Sequence, residues 1–212
     1  MAFKVCDAVV WSHDENRDMS AIAFPYKRDG KLLQVKRIST ERPGGKKIIS
    51  VEADCEPCLF GWDVLPRDTR VVILCKGEID CMSYHQYGLP ALSVPFGGGK
   101  GAKQQWIEFE YHNLDRFTDI WLSLDNDEVG QEAAKEIAKR LGEHRCRLVS
   151  LPHKDINECL QKGLSVEDIL QYLETASFFD PDELCSAREF YHETLHAFYG
   201  KEQYLFNSPW EK

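Results

Sequence analysis

From about residue 70 onward, short apolar runs alternate with segments whose apolar residues recur every three to four positions. Residues 71–75 form a continuous apolar run, the pattern of a strand covered on both faces. Lys76-Gly77 then turns the chain into a helix that begins near Glu78 and ends at Gly88. Residues 89–94 read as a second strand. A glycine-rich loop over residues 95–101 leads into a helix carrying Trp106, Ile107 and Tyr111. Residues 120–124 make a third strand. The helix after it places Val129, Ala133, Ile137 and Leu141 on one stripe and closes at Gly142. Residues 147–151 make a fourth strand. This alternation predicts an α/β fold: a parallel sheet of about four strands, right-handed crossovers and flanking helices.

The chain before residue 70 has a different rhythm. An apolar-rich run from Ser20 to Tyr26, the turn Lys27-Arg28-Asp29-Gly30 and an alternating run to Ile38 read as a β-hairpin. Arg42-Pro43-Gly44-Gly45 marks another turn, and residues 47–51 suit a third strand. Pro66-Arg67-Asp68 is a boundary. After Gly163 the pattern is helical, with a helix capped by Ser165, a break at Phe178-Phe179-Asp180-Pro181 and a longer amphipathic helix over residues 182–199. Three parts are therefore expected: a β-rich subdomain over residues 1–69, the α/β domain over 70–163, and a helical linker over 164–212.

Composition narrows the class. A chain of 212 residues with 43% hydrophobic content can bury a substantial core. It contains no apolar run of membrane-spanning length and no signal-peptide pattern, so no membrane partner is expected. Its eight cysteines are scattered, and three lie in apolar segments, which suits reduced thiols in an intracellular protein. Cys55 and Cys58 form a single close pair, and one pair does not make a four-ligand site, so no zinc is expected. The net charge of −9 excludes a generally basic nucleic-acid coat. Between residues 27 and 47, however, eight Lys and Arg residues outnumber Asp29 and Glu41, a block suited to polyanions or to a solvated hairpin face.

The chemistry concentrates at strand ends. The third strand stops at Asp125-Asn126-Asp127-Glu128, two carboxylates one residue apart that repel unless a cation lies between them. Mg²⁺ suits such an oxygen-rich place. Asp127 is equally placed to cap the following helix. The first strand end supplies Lys76, Glu78 and Asp80, and the fourth supplies Lys154 and Asp155. Parallel strands put these ends on one rim, where five or more carboxylates converge. Mg²⁺ held by carboxylates mostly serves phosphoryl transfer or phosphodiester cleavage.

Taken in order, strand-Lys76-Gly77-Glu78-Ile79-Asp80, strand-Asp125-Asn126-Asp127-Glu128-Val129-Gly130 and Lys154-Asp155-Ile156-Asn157-Glu158 resemble the TOPRIM domain of phage-type, Twinkle-like primase-helicases. Residues 24–37 and 56–61 resemble the subdomain preceding it in that family, and residues beyond 164 resemble the linker toward the ring helicase. The resemblance implies a DNA primase region acting in DNA replication. It assigns Mg²⁺, or Mn²⁺ in its place, to Asp125, Asp127 and Asp155, and the catalytic positions to Lys76, Glu78 and Asp80. It assigns nucleotide contact to Lys36 and Lys47; Arg37 and Lys154 are further candidates for nucleotide or DNA contact, and so are Lys100 and Lys103 of the glycine loop, which reads equally as a flexible connection. The implied partners are single-stranded DNA, nucleoside triphosphates and further copies of the chain.

Two parts of the family pattern do not occur: a four-cysteine zinc ribbon and a Walker-type Gly-x-x-x-x-Gly-Lys-[Ser/Thr]. The chain reads as a middle segment of a longer protein. It also departs from the family at Lys76, where the motif has Glu. An ammonium about 4 Å from a carboxylate contributes on the order of 4 kcal/mol at an effective dielectric near 20, before desolvation. Lys76 is thus expected to pair with Asp125 or Asp127, to repel Mg²⁺ and to weaken or abolish primer synthesis. The residues leave two alternatives open, a non-catalytic assembly scaffold and a TOPRIM nuclease.

Overall fold

In the computed structural model the chain is described over residues 3–95 and 104–179, and at positions 191, 195 and 198. The expected C-terminal helix over 182–199 and the glycine loop with Lys100 and Lys103 lie outside the described residues.

The first sheet comprises β1 (Cys6–Ser12), β2 (Arg17–Arg28), β3 (Lys31–Ser39) and β4 (Ile49–Val51), antiparallel and in sequence order. The hairpin expected over residues 20–37 is the β2–β3 pair. Its two-residue turn holds Asp29 at φ 53° and Gly30 at φ 78°, the primed geometry whose twist matches the flanking strands. Strand β1 and the first part of β2 extend this sheet beyond the sequence expectation. In β1 the alternation is muted, because Val9 and Trp11 are exposed while Val10 and Ser12 point inward.

The second sheet comprises β5 (Val71–Lys76), β6 (Ala91–Val94), β7 (Asp119–Ser123), β8 (Cys146–Leu148) and β9 (Ser177–Phe178). Its order is β6-β5-β7-β8-β9; the first four strands are parallel, and β9 runs antiparallel to β8. The fourth strand is shorter than the predicted 147–151. Outside β6, Phe60 and Ser93 exchange a pair of backbone hydrogen bonds of 3.0 and 2.9 Å.

The helices are α1 (Glu78–Gln86), α2 (Trp106–Leu114), α3 (Glu128–Leu141), α4 (Ile156–Gln161) and α5 (Val166–Glu174). The last starts at a capping box in which Ser165 and Asp168 satisfy each other's backbone N–H groups. Among the described residues, no helix is long and apolar enough to cross a membrane.

Successive β5 side chains enter different cores, as the period of two requires. Val72 and Leu74 pack with Trp106, Ile107, Ile137 and Leu141 under α2 and α3. Ile73 and Cys75 pack with Tyr84, Ile156 and Ile169, and with Phe24, Tyr26 and Phe60 from the N-terminal part. The predicted α3 stripe holds for Ala133, Ile137 and Leu141 but not for Val129, which is 61% exposed because the buried face is centred on Gly130, Ala133, Ala134, Ile137 and Leu141 and leaves Val129 at its margin.

A buried carboxylate ties the two sheets together. Glu110 of α2 is fully enclosed and accepts from Arg28 Nη1 at 2.8 Å, the Leu59 backbone N–H at 3.0 Å, Trp62 Nε1 at 3.1 Å and Asn113 Nδ2 at 2.8 Å. Four donors from three parts of the chain compensate its desolvation. The substitution Glu110→Ala orphans a guanidinium and two buried N–H groups, and is expected to cost about 3–5 kcal/mol. Urea denaturation should show a lower midpoint at unchanged slope. A loss below about 1 kcal/mol would show that the network is dispensable.

Candidate active site at the carboxyl rim

Strands β5 and β7 lie side by side with Cys75 opposite Ser123, so the residues that follow emerge together at the carboxyl rim. From β5 comes Lys76, whose Nζ makes a direct ion pair with Asp125 Oδ2 beyond the end of β7. Gly77 follows at φ 113°, a backbone region that disfavours residues with a Cβ. That turn starts α1 and directs Asp80 back toward the rim. Asp80 and Asp155 line a small hollow together with Lys76, Ser123 and Asp125. Beneath it, Tyr84 Oη and Ser123 Oγ are hydrogen-bonded at 2.6 Å.

The acids at this rim are not equivalent. Asp127 caps α3, its Oδ1 accepting from the Gly130 N–H at 2.7 Å. Gly130 is required for this arrangement, because a Cβ there would lie 2.1 Å from the carbonyl oxygen of Asp125. The glycine of the Asp-x-Asp-Glu-x-Gly run thus marks where α3 folds back over the strand end. Asp155 caps α4, accepting from the Glu158 N–H at 2.8 Å. Burial raises the Asp80 carboxyl to about 7; the charges of Asp155, Asp125 and Glu78 add to this, and the Asn157 backbone N–H opposes it.

Glu78 belongs to a different environment. It is almost fully buried, and its carboxylate turns away from Asp125 toward the N-terminal sheet. There Lys36 Nζ lies 2.7 Å from Oε1, and the Tyr26 hydroxyl donates to the same oxygen. Burial, with the Glu78 charge second, pushes the Tyr26 phenol well above its usual range and keeps it a donor. Tyr26 was not among the residues singled out from the sequence. The available signal is its place two residues after Phe24 on the inward face of β2.

The remaining candidates are dispersed. Arg37 pairs with Glu52 at 3.2 Å on the neighbouring segment. Lys47 is exposed ahead of β4. Lys154 is exposed, and its backbone N–H donates to Glu158 at 3.1 Å. The structure thus gathers Lys76, Asp80, Asp125 and Asp155 at one hollow, and places Lys36 with Glu78 between the two sheets.

As arranged, these residues do not fit a divalent cation. Mg²⁺ needs one or two carboxylates free of a competing cation, with waters or phosphates completing its octahedron. Here the ammonium of Lys76 holds an oxygen of Asp125, and Asp127 and Asp155 each commit an oxygen to a helix cap. Among the described residues, no group of three His, Cys, Asp or Glu side chains is placed to hold a metal.

The raised Asp80 carboxyl has a stability consequence of defined sign. Between the ordinary carboxylate value and about 7, the native state keeps a proton that the unfolded chain has released. Stability contributed by this group therefore falls as pH rises through that window. The substitution Asp80→Asn removes the charge, and its stability relative to wild type is expected to rise by about 1–3 kcal/mol between pH 5 and pH 8. Urea midpoints in metal-free buffer at the two pH values measure this. A relative stability that stays the same or falls between them would contradict it.

Comparison with known proteins agrees with this architecture. Residues 73–160 match the family described as Toprim-like. The chain is 30% identical over 154 residues to the Twinkle homolog protein, chloroplastic/mitochondrial, of Arabidopsis thaliana, covering 66% of this chain and 21% of that protein. It is 33% identical over 123 residues to the DNA helicase/primase of Enterobacteria phage T3, covering 56% of this chain and 21% of that protein. The chain therefore spans about a fifth of the length of these two relatives. Among solved structures, it superposes with TM-score 0.63 and 22% identity on a bacteriophage T7 assembly of lagging-strand DNA polymerase with gp4 primase domains, over 82% of this chain and 84% of that one. Strand order, rim motifs and these matches identify residues 73–160 as a Toprim-like domain, within a chain that resembles the primase region of phage-type primase-helicases.

Proposed function

We propose that this chain is the primase-type region of a primase-helicase-like replication protein, working inside the cell on single-stranded DNA and nucleoside triphosphates. On this reading, residues 1–69 form the subdomain that contacts nucleotide and template, residues 70–163 carry the rim, and residues 164–212 lead toward a helicase segment through which copies assemble. The matched Toprim-like segment supports it, as does a rim built from the ends of β5 and β7. In the related T7 assembly, primase domains of two gp4 subunits are bound to an RNA/DNA hybrid and dTTP. By analogy, Arg37, Lys47 and Lys154 would supply positive charge toward the polyanion.

The finer part of the proposal is that primer synthesis is weakened or lost. The observation that carries it is the Lys76–Asp125 ion pair, which fills with an ammonium the place where the family motif supplies an acid. Incubating the protein with single-stranded template, nucleoside triphosphates and Mg²⁺ tests this, with wild type and Lys76→Glu side by side. Wild type is expected to synthesise primer at least about tenfold more slowly than the variant, equivalent to roughly 1.4 kcal/mol in the barrier. Robust synthesis by wild type would remove the claim of impairment.

A further inference from the structure

The negative charge at the rim is neutralised by the protein itself. Asp125 is held by the Lys76 ammonium. Asp127 and Asp155 face the positive ends of α3 and α4, with one oxygen each on a backbone N–H at 2.7 and 2.8 Å. Asp125, Asp127 and Asp155 thus each have a donor within the protein.

Lys76 is also well anchored. It ends β5, which lies between β6 and β7, and Gly77 behind it is fixed at φ 113° with its N–H on Ser93 Oγ at 3.0 Å. A lysine ammonium offers three N–H donors and one charge, and has no coordination position through which to act as a Lewis acid. A divalent ion differs in both respects.

We infer that Lys76 is a tethered replacement for a divalent cation, so that this rim keeps its geometry without metal and admits one only when the lysine is removed. The inference concerns the same rim as the functional reading above, but its test reads cation binding and stability, so either can fail alone. Thermal unfolding is measured in EDTA and in millimolar Mg²⁺ for wild type and Lys76→Gln, and Mn²⁺ binding is followed by electron paramagnetic resonance. Wild type should melt at the same temperature in both buffers and bind no Mn²⁺ at the rim. Lys76→Gln should melt lower in EDTA, recover in Mg²⁺ and bind about one Mn²⁺ per chain, because its acids then need a counter-charge. Asp125→Asn, which leaves the lysine but removes its partner, should lose stability without any recovery in Mg²⁺, and keeps the test decisive if Lys76→Gln fails to fold. Stoichiometric Mn²⁺ binding by wild type that Asp125→Asn abolishes, or a folded Lys76→Gln indifferent to Mg²⁺, would overturn the inference.

Discussion

Much of this structure follows from where the Glu78 carboxylate goes. It lies on the first turn of α1, one residue past the Gly77 turn, yet it is withdrawn from water and from the rim. A carboxylate in that position is tolerable only with strong partners. Lys36 and Tyr26 supply them from the other sheet, so the contact that stabilises the acid also docks the β-rich part against the parallel sheet. Glu110 repeats the principle with Arg28 and Trp62. Both joints combine apolar packing with a buried charge whose partners come from distant parts of the chain. Breaking one partner of such a joint costs more than the joint contributes net, because the survivor stays buried.

The commitment of Glu78 has a consequence at the rim. With its carboxylate turned inward, the first strand end presents Lys76 and Asp80 to Asp125 and Asp155. At the rim the Lys76 ammonium and two helix ends compensate Asp125, Asp127 and Asp155, while Asp80 is left among like charges.

Much of this architecture was legible in the residues. Continuous apolar runs and glycine-terminated helices revealed the parallel strands, because a strand buried on both faces has few other sequences available to it. The Asp-Gly turn revealed the hairpin. Strand β1 was less visible, since an edge strand with Val9 and Trp11 facing outward lacks clean alternation. Val129 misled, because the buried face of α3 turns toward Gly130 and Ala134 and leaves Val129 at its margin. The pairing of Lys76 with Asp125 followed from sequence reasoning, since adjacent parallel strands bring their ends together. The pairing of Lys36 with Glu78 did not, because it depends on how two sheets dock. No local pattern encodes that.

The parallel sheet is also guarded along its sides. Beyond β6, Phe60 bonds Ser93 through both backbone groups, and beyond β8 the two residues of β9 run antiparallel. Unpaired strand borders recruit other chains indiscriminately, and these short pieces occupy part of them. Strand exchange between copies is thereby discouraged at Ser93 and at the β8 border. Removing the two residues of β9 would bare the main-chain groups of β8.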